Sequence, residues 1–129
     1  MIVLDASAAV AVLLNIGPAG IRERLEDEDD GPHVPHIFEI EVLNALRHHA
    51  RRGLSTERNA KLLEDLMTMN LTRYPHSALL PRIWELRENV TAYAAAYITL
   101  AETLNAPLIT TDAKLARASG IRAEIELYE

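Results

Sequence analysis

Met1-Ile2-Val3-Leu4-Asp5-Ala6-Ser7 opens the chain: an apolar run, a carboxylate, then small residues that continue through Ala8 and Ala9. A continuous apolar run containing β-branched residues reads as a strand buried on both faces. A carboxylate at the carboxyl end of such a strand, before a tight turn into a helix, stands where open α/β sheets place their ligand chemistry. Asp5 has a second reading, as the N-cap of a helix predicted over residues 7–14, because aspartate caps helices well. Both readings stand on this stretch alone.

Working outward, Leu108-Ile109-Thr110 followed by Thr111-Asp112 repeats the pattern of a short apolar strand ending in a carboxylate. In a parallel sheet the carboxyl ends of all strands lie on one side, so Asp5 and Asp112 can approach each other despite their separation in sequence. The third place is a helix predicted over residues 36–52 and stopped by Gly53. Its apolar residues are Ile37, Ile40, Leu43 and Leu46, with Val42 at the flank, and helical spacing puts Glu41 and Asn44 on or beside that face. A buried, unpartnered carboxylate is costly. Asp5, Glu41 and Asp112 converging with few buried basic residues therefore point to a divalent cation, and all-oxygen ligation suits Mg²⁺ or Mn²⁺.

Between these places the spacing predicts helices over 19–25, from Ser55 onward with Leu62, Leu63, Leu66 and Met67 as its stripe, over 77–87, 91–104 and 113–118. It predicts strands at 2–4, 33–35, 71–74, 108–110 and 124–127. Alternating strands and helices imply a three-layer α/β sandwich with a central parallel sheet of four or five strands. At 129 residues, 1–129 is expected to be a single domain. The acidic run at residues 26–30 reads as a solvated turn. Cysteine is absent, which excludes disulfides and thiolate metal sites. No apolar run is long enough to span a membrane and no basic n-region precedes Asp5, so a cytoplasmic protein with no membrane partner is expected. The formal net charge of −6 argues mildly against a nucleic-acid partner, although carboxylates that hold a metal add negative charge without repelling phosphate once the metal is bound.

Four stretches together resemble a known family. Ile-Val-Leu-Asp-Ala-Ser at residues 2–7, Glu-Val-Leu-Asn-Ala-Leu-Arg at 41–47, Thr-Ala-Tyr-Ala-Ala-Ala-Tyr at 91–97 and Leu-Ile-Thr-Thr-Asp at 108–112 are similar, in this order, to the PIN domain, and in particular to the VapC toxins of bacterial toxin–antitoxin pairs. The resemblance implies a metal-dependent endoribonuclease, a homodimer, and a VapB-type antitoxin that holds it inactive. Asp5, Glu41 and Asp112 match three of the family's acidic positions, which implies that they are catalytic and hold the metal. The fourth, normally an aspartate, is Ala94 here, so one metal ligand is missing. Ser7 and Asn44 match supporting positions. Thr91 can cap its helix, but with Ala94 it has no reciprocal partner.

Arg47, Arg51 and Arg52 continue the helix that carries Glu41. They read either as RNA phosphate contacts or as a solvated helix end. Tyr93, Tyr97 and Trp84 read as core or dimer contacts, or as stacking platforms for RNA bases. The five histidines do not pair at i, i+4 on one helix, which disfavours zinc. A phosphotransferase of the haloacid dehalogenase type needs a second aspartate where Ser7 stands. A non-catalytic PIN-like module that binds antitoxin or RNA is the remaining alternative.

Overall fold

The computed structural model describes residues 1–53 and 55–129. Its centre is the opening stretch: Val3–Leu4 forms strand β1, and Ile2, Val3 and Leu4 are completely buried. Two short strands run parallel to it on either side, His33–Pro35 (β2) and Leu108–Thr110 (β4), whose residues are also buried. Thr72–Tyr74 (β3), mostly exposed, and Ile125–Leu127 (β5), half-buried, are the edges, giving the order β3-β2-β1-β4-β5 with every pairing parallel. The sheet is five-stranded and flanked by helices, as the alternation of apolar runs predicts. Strand order reverses between β1 and β4, so their carboxyl ends flank the crevice where such sheets receive ligands.

The helices are Ala6–Leu13 (α1), Ile21–Glu26 (α2), Phe38–Ala50 (α3), Thr56–Met67 (α4), Leu80–Glu85 (α5), Ala92–Leu104 (α6) and Ala113–Arg117 (α7). α2 starts later than expected because Gly20, at φ 91°, occupies the left-handed region and cannot belong to the helix. The helix predicted over 77–87 is divided into a 3₁₀ turn at Ser77–Leu79 and then α5. Pro81 has no N–H, so the α-helix begins beside it rather than running through it. α4 is capped by Ser55, whose hydroxyl accepts from the Arg58 N–H, and α6 by Thr91, whose hydroxyl accepts from the Ala94 N–H.

The buried face of α3 departs from the expected one. Phe38, Val42 and Leu46, at i, i+4, i+8, face the core, while Ile40 is 62% and Leu43 41% exposed. Apolar residues surround this helix on more than one side, and only packing decides which row turns inward. The same holds for α4, where Leu62 and Leu66 are buried but Leu63 and Met67 face solvent. No helix among the described residues is long and apolar enough to cross a membrane.

Candidate active site

Asp5 sits immediately beyond β1, at the carboxyl end of the strand, and caps the helix that follows. Its Oδ1 accepts from the Ala8 N–H at 3.0 Å and so caps α1, yet the side chain also lies at the sheet's crevice, 5% exposed. The Ser7 hydroxyl donates to the same Oδ1 at 2.6 Å, and the Thr110 hydroxyl, at the end of β4, donates to Oδ2 at 2.5 Å. Both hydroxyls also accept: Ser7 Oγ from the Thr111 N–H and Thr110 Oγ1 from the Asp112 N–H. Each hydroxyl has one proton and spends it on Asp5, so the turn after β4 is tied to the turn after β1 through a carboxylate. Ser7 thus holds Asp5 in place. Thr110 joins the site without being among the expected residues; its signal in the sequence is a hydroxyl residue inside an otherwise apolar strand.

Asp112 follows Thr110 and caps α7, its Oδ1 accepting from the N–H groups of Lys114 and Leu115. It is solvent-exposed and close enough for its charge to act on Asp5. Glu41, on the first turns of α3, is half-buried. Its Oε1 accepts from the Tyr97 hydroxyl of α6 at 2.6 Å. Tyr97 is therefore no stacking platform: it is buried, and its phenol reaches the acidic centre. Ala94, one turn earlier on α6, lines a cleft of about 240 Å³ together with Asn89, Thr91, Asp112 and Lys114. Position 94 thus shares a cleft with Asp112.

Asn44 is exposed and makes no hydrogen bond to these carboxylates among the described residues. Arg47 lines a separate groove between α3 and α4, with Leu43, Leu46 and Leu63, and Arg51 is the exposed C-cap of α3. The histidines stand elsewhere; His76 Nε2 accepts from the Ile37 N–H at the start of α3.

Burial pushes the Asp5 carboxyl above the ordinary carboxylate range; the Ser7, Thr110 and Ala8 donors pull the other way, and the Asp112 charge adds to the rise. Glu41 is raised too, by burial first, against the Tyr97 hydrogen bond and with the Asp5 charge adding to the rise. Tyr97 is pushed far upward by burial and then by Glu41, so its phenol stays a proton donor. Between the unfolded and folded values of Asp5 and Glu41, the native state holds more protons than the unfolded one. Their contribution to stability is therefore present below that window and lost as pH rises through it. Asp5→Asn should raise the metal-free protein's thermal midpoint at neutral pH and flatten its decline as pH rises through the raised range of the Asp5 carboxyl. A lower midpoint for this variant in a pH series of thermal melts would contradict the assignment.

The donors match a hard divalent cation in kind. Oxygen is the only ligand type present, and each carboxylate keeps capacity unspent: Glu41 Oε2 and Asp112 Oδ2 have no donor among the described residues, and Asp5 Oδ2 has only one. No ion pair to these three carboxylates occurs among the described residues either. In placement they fall short, because no three acidic or histidine side chains among the described residues stand together closely enough to hold one ion. Asp112 turns one oxygen into α7, and α6 contributes no carboxylate at position 94.

The family model of the PIN domain matches residues 2–121. Ribonuclease VapC9 of Mycobacterium tuberculosis is 44% identical over 119 residues, covering 89% of this chain and 88% of its own. Ribonuclease VapC12 of the same species is 40% identical over 130 residues, covering 98% of both chains. Among solved structures, a toxin–antitoxin complex from Klebsiella pneumoniae superposes with a TM-score of 0.71 at 19% identity, covering 100% of this chain and 99% of that one, a likeness of fold. With the acidic crevice between β1 and β4, these matches establish that the chain is a PIN domain of the VapC ribonuclease family.

Proposed function

We infer that the chain is the toxin of a VapBC-type pair, a cytoplasmic endoribonuclease that depends on Mg²⁺ or Mn²⁺ and is weakened or inactive with Ala94 in place. The observation that carries this reading is that Asp5 and Asp112 stand just beyond neighbouring parallel strands, with Glu41 of α3 near enough to feel the Asp5 charge. The names of its relatives, ribonucleases VapC9 and VapC12, support the reaction class.

Asp5, Glu41 and Asp112 are the carboxylates that would reach a metal, and as placed they make an incomplete site that lacks a ligand from position 94. A bound dication would acidify a water and neutralise charge on the phosphodiester. Asp5, locked by Ser7, Thr110 and the Ala8 N–H, cannot turn away, so its free lone pair on Oδ2 has a fixed direction. Glu41 keeps Oε2 free and has a raised proton affinity, which suits it to take the proton from an attacking water. Arg47 and Arg51, one and a half to three turns further along α3, would contact RNA phosphates away from the cut. The direct test is incubation of the purified protein with total RNA and Mg²⁺ or Mn²⁺, beside its Ala94→Asp and Asp5→Asn variants. RNA cut only by Ala94→Asp supports the reading. Metal-dependent cutting by the unmodified protein would show that position 94 is dispensable. Failure of all three would favour a module that binds without cutting.

Two exposed apolar surfaces support two protein partners. On adjoining α5 and α6, Leu80 (55%), Trp84 (68%) and Tyr93 (61%) face solvent, and Leu80 and Tyr93 line one cleft with Ile83. Exposed aromatic residues of this size mark interfaces, and here they support a homodimer. Trp84→Glu should convert a dimer into a monomer at micromolar concentration by light scattering; an unmodified protein that is already monomeric would remove the dimer. The α3–α4 groove supports an apolar segment of the antitoxin, and an arginine from it would pair with the acidic crevice. Asp5→Asn with Glu41→Gln should then weaken antitoxin binding, as read by calorimetry.

A further inference from the structure

Tyr97 is 3% exposed, and a buried phenol needs a partner for its O–H. Its partner is a carboxylate on another helix, 56 positions away, at the short distance of 2.6 Å. Bonds of this length are those of a hydroxyl to an ionised oxygen. Glu41 has reasons to leave. It is only half-buried, so a turn about its flexible side chain would carry it into water, and the Asp5 charge opposes its presence. No cation among the described residues pairs with it. What opposes that turn is the Tyr97 O–H.

Tyr97 is itself fixed. It lies in the densely buried middle of α6, between Ala96 and Ile98, and shares a helix face with Ala94 at i, i+3. α6 therefore presents two positions to the acidic centre: one beside Asp112, the other bonded to Glu41. The Tyr97 bond takes Oε1 and leaves Oε2 without a donor among the described residues.

We propose that Tyr97 is a positioning residue that holds Glu41 in one rotamer, its Oε1 bonded across to α6, and so preorganises that carboxylate before any cation arrives. The consequence for metal binding rests on the proposed function above; the positioning itself does not.

Tyr97→Phe tests it, because the ring that packs in the core is retained and only the hydroxyl is lost. The first readout is the Glu41 side-chain rotamer in metal-free protein, from three-bond NMR couplings. One rotamer is expected in the unmodified chain and averaging in Tyr97→Phe; one rotamer in both would overturn the proposal. The second readout is Mn²⁺ affinity by calorimetry in Ala94→Asp protein. Tyr97→Phe should weaken it about tenfold, the usual cost of losing a group that orients a ligand. With Glu41→Gln already in place, Tyr97→Phe should add no further loss. A tyrosine that only packs would lower the thermal midpoint while leaving rotamer and affinity unchanged, and that result would also overturn the proposal. If no version of the protein binds Mn²⁺, the metal reading falls and the rotamer measurement alone decides the role of Tyr97.

Discussion

Ala94→Asp should switch on RNA cleavage by at least about 100-fold, equivalent to about 3 kcal/mol of added transition-state stabilisation. The new side chain would project from α6 into the cleft that Asp112 already lines, on the face that Tyr97 ties to Glu41. It would add a carboxylate beside Asp112 where the present chain has a methyl group. The same change should destabilise the metal-free protein. Two carboxylates about 5 Å apart repel by about 3 kcal/mol at an effective dielectric near 20, an upper bound for a hydrated cleft. Asp5 and Glu41 are already raised by burial, and a further negative charge raises them more. A metal that binds only the folded state reverses the sign, contributing about 2.7 kcal/mol at a hundred times its Kd. Thermal melts with and without Mg²⁺ should therefore cross: the variant melts lower than the parent without metal and gains more with it. Cells that make the variant without antitoxin should stop growing.

Gly31→Ala should produce the largest loss of stability, on the order of 3 kcal/mol or more. Gly31 precedes β2 at φ +72°, a conformation that L side chains rarely adopt, and a Cβ there would stand 2.0 Å from the Asn70 carbonyl oxygen. The obstacle is backbone and cannot swing aside. It belongs to the segment that brings β3 alongside β2, where the Thr72 N–H donates to the Pro32 carbonyl and the Asn70 amide to the Asp30 carbonyl. Relieving the clash would therefore loosen an edge strand. Chemical denaturation of Gly31→Ala beside Gly53→Ala separates the two causes. Gly53 also has a positive φ, but among the described residues beyond its chain neighbours nothing lies within 4 Å of where a Cβ would stand, so its substitution tests the conformational cost. Equal losses in the two would remove the clash as the explanation.

The strands and the two strand-end aspartates were legible because both signals are local: an uninterrupted apolar run and the carboxylate that stops it. Parallel pairing of β1 with β4 then follows from the alternation of elements, and with it the approach of Asp5 to Asp112. Glu41 was legible through helical spacing, although the row that faces inward is Phe38, Val42 and Leu46 rather than Ile40 and Leu43. That error has a physical source. Surfaces that receive partners are apolar as well, so composition alone does not separate a core face from an interface. The hydroxyl of Thr110 on Asp5 and the Tyr97 phenol on Glu41 were not legible. Each joins side chains far apart in sequence, 105 and 56 positions, through rotamers that no periodicity encodes. Asn44, placed beside Glu41 by the same helical spacing and by resemblance, is exposed and makes no hydrogen bond to the carboxylates among the described residues.

The measurement that bears most directly on the acidic centre is a calorimetric Mn²⁺ titration of the unmodified chain, of Ala94→Asp, and of Ala94→Asp combined with Asp5→Asn. If Asp5, Glu41 and Asp112 form a metal site short of one ligand, only Ala94→Asp gives a strong one-site isotherm, and removing the Asp5 charge abolishes it. Indistinguishable isotherms from all three proteins would contradict that account.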